Sequence, residues 1–203
     1  MLSRLRGAAT RVWTPLADAL LRAGVSPDAV TIAGTLAVVV TALWAFPTGH
    51  LLVGSFVIAV FTLTDSIDGV MARRSGRSGP WGAFLDSTLD RFGDGAIFAG
   101  LVLWYAGAGD SHTNAALALA CLVLGSVVPY ARARAEGLGM TASGGIAERA
   151  DRLFAVLLAA LLVGLGLPEV VMTIVLALLA VASAVTVVQR MAAVRRQVLE
   201  ATS

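Results

Sequence analysis

The chain is organised by long apolar runs. Six stretches, near residues 26–46, 49–66, 83–106, 113–131, 153–167 and 169–189, are almost wholly hydrophobic. A helix needs roughly 20 mostly apolar residues to cross the hydrocarbon of a bilayer, and a lipid-facing backbone must satisfy its own hydrogen bonds. The pattern therefore predicts an all-α membrane protein with six transmembrane helices. They form a six-helix bundle over 26–196, preceded by an interfacial amphipathic helix within the juxtamembrane segment 1–23, and the whole reads as one membrane domain over 1–203. The leading helix rests on Leu5, Val12, Trp13, Leu16 and Leu20, which recur at helical spacing among Arg4, Arg6, Arg11 and Asp18. Pro15 is expected to kink or interrupt it. Ser26-Pro27-Asp28 reads as a helix start, with Ser as N-cap and Pro at the first helical position.

Composition agrees with this class. The 203 residues are 58% hydrophobic and only 14% charged, where a soluble domain carries about 25% charged residues. The basic residues then set a topology. All fifteen are Arg. Arg4, Arg6, Arg11 and Arg22 precede the first run, and Arg73, Arg74, Arg77 and Arg91 surround the second connection. Arg132, Arg134, Arg149 and Arg152 surround the fourth, and Arg190, Arg195 and Arg196 follow the last run. None falls in the connections near 47–50, 106–113 or 165–169. Because cytoplasmic loops collect Arg and Lys, the pattern predicts a multi-pass protein of the cell (plasma) membrane, with both termini and the polar end cytoplasmic. No nucleic-acid partner is expected. Cys121, the single cysteine, rules out a disulfide within the chain and reads as a small buried hydrophobe. His50 and His112 fall in outer loops and read as solvated, while Trp13, Trp44, Trp81 and Trp104 read as headgroup anchors.

Four carboxylates break the apolar pattern: Asp65 and Asp68 at the end of the second run, and Asp86 and Asp90 at the start of the third. Residues three or four apart share a helix face, so each pair points together, and two antiparallel neighbours joined by a short connection let the pairs converge. An Asp at the centre of a membrane helix costs about 2.5–3.5 kcal/mol, so a cation is required to offset the cluster, either Arg side chains in a structural ion-pair network or a bound metal. Oxygen-rich sites suit Mg²⁺ or Mn²⁺, and a pair of such ions can clamp the attacking and leaving oxygens of a phosphoryl displacement. Gly69 and Ala72 leave room for a phosphate ligand, and the planar fork of Arg73 matches its oxygens.

The spacing Asp65-x-x-Asp68-Gly69-x-x-Ala72-Arg73, eight residues, Gly82-x-x-x-Asp86-x-x-x-Asp90 resembles the signature of the CDP-alcohol phosphotransferases in all eight motif positions. The resemblance implies attack by a hydroxyl on the lipid-side phosphorus of a CDP-linked lipid, with release of CMP. It implies a two-metal site, Mg²⁺ with Mn²⁺ as the alternative, held by Asp65, Asp68, Asp86 and Asp90. Asp90 would also take the proton from the attacking hydroxyl. CDP-diacylglycerol would be bound by Gly69, Arg73, Ser78 and Gly79, completed by Asp28, Ala29, Val30 and Thr31 at the inner end of the first span. Asp94 continues the face of Asp86 and Asp90 outside the signature, as a supporting or helix-pairing residue.

The basic clusters bear on the acceptor. Cations beside an already cationic site suit an alcohol that carries its own phosphate. The segments R-V-W-T-P-L-A-D-A-L-L-R-A-G-V-S-P-D, A-R-A-E-G-L-G, G-G-I-A-E-R-A-D-R and V-Q-R are similar to those of the actinobacterial phosphatidylinositol phosphate synthases within that family. This likeness implies inositol phosphate as acceptor, bound by Arg132, Arg152 and Arg190, and a homodimer. Arg132 stands where the likeness leads one to expect Lys. Glycerol 3-phosphate as acceptor, in a phosphatidylglycerolphosphate synthase, is the nearest alternative. A divalent-cation transporter is the alternative from another class, but it leaves Gly69, Ala72, Arg73 and Gly82 without a reason.

Overall fold

The computed structural model describes residues 13–64, 66–76, 79–146 and 148–201. Asp65, Arg77 and Ser78 lie outside the described residues, as do Arg4, Leu5, Arg6, Arg11 and Val12. Within them all regular structure is helical: α1 (13–22), α2 (Pro27–Ala45), α3 (Leu51–Thr64), α4 (Ser66–Arg74), α5 (Pro80–Ala106), α6 (His112–Glu136), α7 (Arg149–Gly164) and α8 (Val170–Ala201). The start of α2 is the one expected. The Ser26 hydroxyl accepts the Ala29 N–H at 3.2 Å, and Pro27 takes the first helical position, where its missing N–H costs nothing. Pro80 does the same for α5 after an extended Gly79.

Each apolar run has its helix, but the boundaries differ at the polar end. The second run continues through α4 to Arg74, α6 reaches Glu136, α7 starts at Arg149, and α8 runs to Ala201. Hydropathy marks where a chain leaves the hydrocarbon, whereas Arg- and Ala-rich sequence goes on being helical in water. The residues Arg132, Arg134, Arg152, Arg190, Arg195 and Arg196 therefore stand on helices and not in loops. Among the described residues four segments are long and apolar enough to cross a membrane: α2, Leu51–Arg74, α6 and α8. The 27-residue α5 carries Asp86, Asp90, Arg91 and Asp94 in its first half, and α7 is 16 residues long.

Six helices close a ring. Going round it, α2 packs on α5, α5 on α6, α6 on α8, α8 on α7, α7 on α3 and α3 on α2. The core inside it holds Phe46, Ile58, Phe98, Leu101, Tyr105, Val156, Met172 and Leu176. The outward faces are apolar as well, with Val40, Phe56, Phe92, Phe154 and Leu178 each more than half exposed. A bundle that is apolar on both sides suits hydrocarbon as its solvent. Small residues set the closest crossings, as in other membrane bundles. A Cβ on Gly100 of α5 would lie 2.4 Å from the Ala42 carbonyl of α2, and one on Gly164 of α7 would lie 2.4 Å from the Leu52 nitrogen of α3.

α1 packs on α4. Ala17 joins Ile67, Val70 and Met71 in a second, smaller core, flanked by Trp13, Leu20, Leu21, Val25 and Val30. Leu16 is exposed, so the face that α1 turns to the protein runs through Trp13, Ala17 and Leu20, one turn apart. Residues 13–22 are helical through Pro15. Arg74 forks onto Asp18, with Nη2 donating to Oδ2 at 2.9 Å. Cys121 is buried and its thiol donates to the Leu176 carbonyl, in keeping with a small core residue. His50 does more than sit in solvent: it stacks on Trp44 with ring centroids 5.7 Å apart.

Candidate active site

The carboxylate helices meet where α4, α5 and the start of α2 come together. Asp68 follows from the helical phase of α4, which turns Ile67, Val70 and Met71 inward to α1 and leaves Asp68 and Gly69 on another face. One oxygen of Asp68 accepts the Thr31 hydroxyl of α2, and the other accepts the Gly69 N–H. Among the described residues, Asp86 of α5 and Arg73 of α4 are charged groups close enough to act on Asp68 electrostatically. Gly69 faces Arg73, whose Nη1 would lie 3.4 Å from a Cβ at that position. Arg73, Gly79 and Asp86 are exposed to solvent at this end. Asp28, in the first turn of α2, accepts the indole N–H of Trp81 at 3.0 Å, which ties α2 to the start of α5. Trp81 is thus more than a headgroup anchor. Ala29 and Val30 lie on the same first turn of α2, Ala29 exposed and Val30 packed toward α1.

One turn further along α5 the carboxylates have arginine partners. Arg149, the first residue of α7, donates Nη2 to Asp90 Oδ1 at 2.9 Å and Nε to Asp94 Oδ1 at 3.0 Å. Arg91 lies 3.6 Å from Asp90 and 4.0 Å from Asp94. The buried Arg152 lies 3.8 Å from Asp94. Asp94 thereby pairs α5 with α7, the supporting role expected of it. No three acidic, Cys or His side chains among the described residues converge as a metal-ligand group; Asp65 falls outside that set. The donors at Asp68 and Asp86 are hard oxygens, like charges set close to each other beside a glycine, and that chemistry fits a divalent cation.

Beside the carboxylates lies a cavity of about 890 Å³ between α3, α6, α7 and α8. Arg91, Arg132, Arg149, Arg152 and Arg190 line it against one carboxylate, Glu148, and its far wall is apolar, with Leu157 and Leu161. The structure thus gathers Arg132, Arg152 and Arg190 from three helices onto one cavity. Arg132 pairs with Glu136 at 2.8 Å. Arg190 donates Nε to the Gly144 carbonyl at 3.0 Å and Nη1 to the Val128 carbonyl. Arg91, Arg149 and Ser143 line the cavity as well. Arg149 was legible only as part of a basic cluster, since no spacing rule relates it to Asp90. The segment 141–146 is strapped along α8: Gln197 exchanges hydrogen bonds with the Thr141 backbone, Arg190 holds Gly144, and the Thr186 hydroxyl accepts the Ile146 N–H.

This carboxylate site on a helical membrane scaffold defines a class. The family model of CDP-alcohol phosphatidyltransferase matches residues 24–143, and the chain belongs to that family; it is a phosphatidyltransferase. Its relatives narrow the class. The chain is 50% identical to phosphatidylinositol phosphate synthase of Cutibacterium acnes, over 97% of this chain and 98% of the relative. It is also 50% identical to that of Streptomyces avermitilis, over 95% of this chain and 81% of the relative. The crystal structure of Mycobacterium tuberculosis phosphatidylinositol phosphate synthase with CDP-DAG bound is 43% identical and superposes with a TM-score of 0.88, covering 91% of this chain and 94% of that one. A second structure of that enzyme, in complex with manganese and citrate, is 42% identical with a TM-score of 0.85, covering 90% and 88%.

Proposed function

We propose that the protein transfers the phosphatidyl group of CDP-diacylglycerol to inositol phosphate and releases CMP. The observation that carries the choice of acceptor is the cavity next to the carboxylate helices: five arginines line it with Glu148, four of them reaching Asp90, Asp94 or Glu136 outside the lining. A guanidinium fork matches phosphate oxygens, and a neutral alcohol would have no use for so many. The relatives' names point to the same acceptor.

In this reading Asp65, Asp68, Asp86 and Asp90 hold a divalent-metal pair, with Mg²⁺ as the working ion. When bound, the pair supplies positive charge to the pyrophosphate oxygens. Thr31 and the Gly69 N–H orient Asp68 for that task. Gly69, Arg73, Ser78 and Gly79 bind the diphosphate, and Asp28 to Thr31 bind the nucleotide, with Trp81 fixing the Asp28 carboxylate. Arg132, Arg152 and Arg190 receive the acceptor phosphate. Asp90 takes the proton of the acceptor hydroxyl as its oxygen attacks the lipid-side phosphorus and the bond to CMP breaks. All six ring helices cross the membrane, α1 lies in the interface, and the site faces the cytoplasm beneath the inner leaflet of the plasma membrane, in one membrane domain that pairs as a homodimer.

Proteoliposomes loaded with CDP-diacylglycerol and Mg²⁺ test this through CMP release. Inositol phosphate is expected to drive release and glycerol 3-phosphate is not. The opposite order would make the protein a phosphatidylglycerolphosphate synthase, and silence with every acceptor would revive the transporter alternative.

A further inference from the structure

We infer that Arg149 is an interlock between the acceptor cavity and Asp90. It holds the Asp90 carboxylate while the cavity is empty and turns to the acceptor's phosphate when the cavity fills, which hands Asp90 to the acceptor hydroxyl. The inference rests on Asp90 being the general base.

Arg149 is the wall between two spaces. It lines the large arginine cavity, and it also borders a void of about 20 Å³ bounded by Thr62, Asp90, Gly93 and Asp94. Asp90 and Asp94 are one turn apart on α5, so a single guanidinium reaches both, at 2.9 Å and 3.0 Å. If Arg149 swings away, Asp90 gives up the 2.9 Å contact, and Arg91 stays 3.6 Å from Asp90 and 4.0 Å from Asp94. A phosphate carries more negative charge than a carboxylate and offers the same fork geometry, so it competes well for the guanidinium.

The device has a chemical purpose. If water attacked the lipid-side phosphorus and gave its proton to Asp90, the phosphorus–oxygen bond to CMP would break and the products would be phosphatidate and CMP. An Asp90 held by Arg149 until a phosphorylated acceptor arrives suppresses that loss.

The test uses the full-length enzyme with Asp90→Asn, Arg149→Gln and the double variant. Binding of inositol phosphate is measured by calorimetry in EDTA, without metal or donor. Competition predicts that Asp90→Asn binds inositol phosphate about 5-fold or more tightly, the lower end of ordinary site-to-site coupling. That gain should vanish in the Arg149→Gln background. A gain that persists without Arg149 would be general charge repulsion and would overturn the interlock, as would no gain at all. In liposomes with Mg²⁺ and no acceptor, Arg149→Gln should raise CMP release relative to its transfer rate, and an unchanged ratio counts against the proposal. Arg149→Lys keeps the charge without the fork and covers the case in which the Gln variant does not fold; it should release more acceptor-free CMP per transfer than the parent. If Asp90→Asn retains transfer, the general-base reading has failed; if it loses transfer while the binding cycle shows no coupling, only the interlock has.

Discussion

Thr31 on α2 donates a hydroxyl hydrogen bond to Asp68 on α4, across 37 residues of sequence. This bond fixes one carboxylate of the family signature from a neighbouring helix, and Thr31 is itself buried. Groups that orient a metal ligand usually matter 10–100-fold in metal affinity. Thr31→Val should therefore weaken Mn²⁺ binding roughly 10–100-fold, read by titration of the free-ion electron paramagnetic resonance signal. Thr31→Ser, which keeps the hydroxyl, should restore it; a Val variant that binds like the parent would make the bond incidental.

The proposed reaction gives Asp90 and Asp68 different tasks. Asp90→Asn should abolish turnover and leave CDP-diacylglycerol binding largely intact, because it removes a base more than a ligand. Asp68→Asn should lose metal binding together with turnover. Equal loss of donor binding in the two variants, measured with labelled lipid, would contradict the division.

Gly100 and Gly34 sit in neighbouring helices with opposite surroundings. A methyl at Gly100 meets the Ala42 carbonyl at 2.4 Å, whereas one at Gly34 meets nothing within 4 Å. Overpacking a close crossing costs about 1–3 kcal/mol. Gly100→Ala should lower the melting temperature in detergent, and Gly34→Ala should leave it unchanged or raise it slightly, since Ala in a helix gains about 0.5–1 kcal/mol over Gly. Similar melting for the two would mean that the α2–α5 crossing is looser than its geometry.

Gln197 reaches the 141–146 segment from the far end of α8, donating to the Thr141 carbonyl at 2.7 Å and accepting from its N–H at 2.9 Å. Each such bond contributes about 0.5–1.5 kcal/mol. Gln197→Ala should free the segment to protease cleavage and raise the KM for inositol phosphate, because Ser143 and Arg190 line the cavity on that side. The KM for the donor should stay put, and a change confined to the donor would place the strap's influence elsewhere.

Much of the fold could be read directly. The apolar runs, the Ser26-Pro27 start and the buried Cys121 all rest on local chemistry, and the structure agrees with each. Boundaries at the polar end could not be read, because hydropathy drops at Arg132 and Arg190 while the helices continue in water. The pairs Trp81–Asp28 and Arg149–Asp90 were equally hidden, since each joins residues more than 50 positions apart.

Sequence alone determined the apolar helices and the four-residue spacing that puts Asp86, Asp90 and Asp94 on one face of α5, because the 3.6-residue pitch converts spacing into direction without reference to anything distant. Tertiary structure decided which arginines meet which carboxylates. Closing the ring through α7 and α8 brings Arg149, Arg152 and Arg190 to the polar end of α5 and α6, and the pairing of a guanidinium with one oxygen over another depends on ångström distances that only helix packing sets.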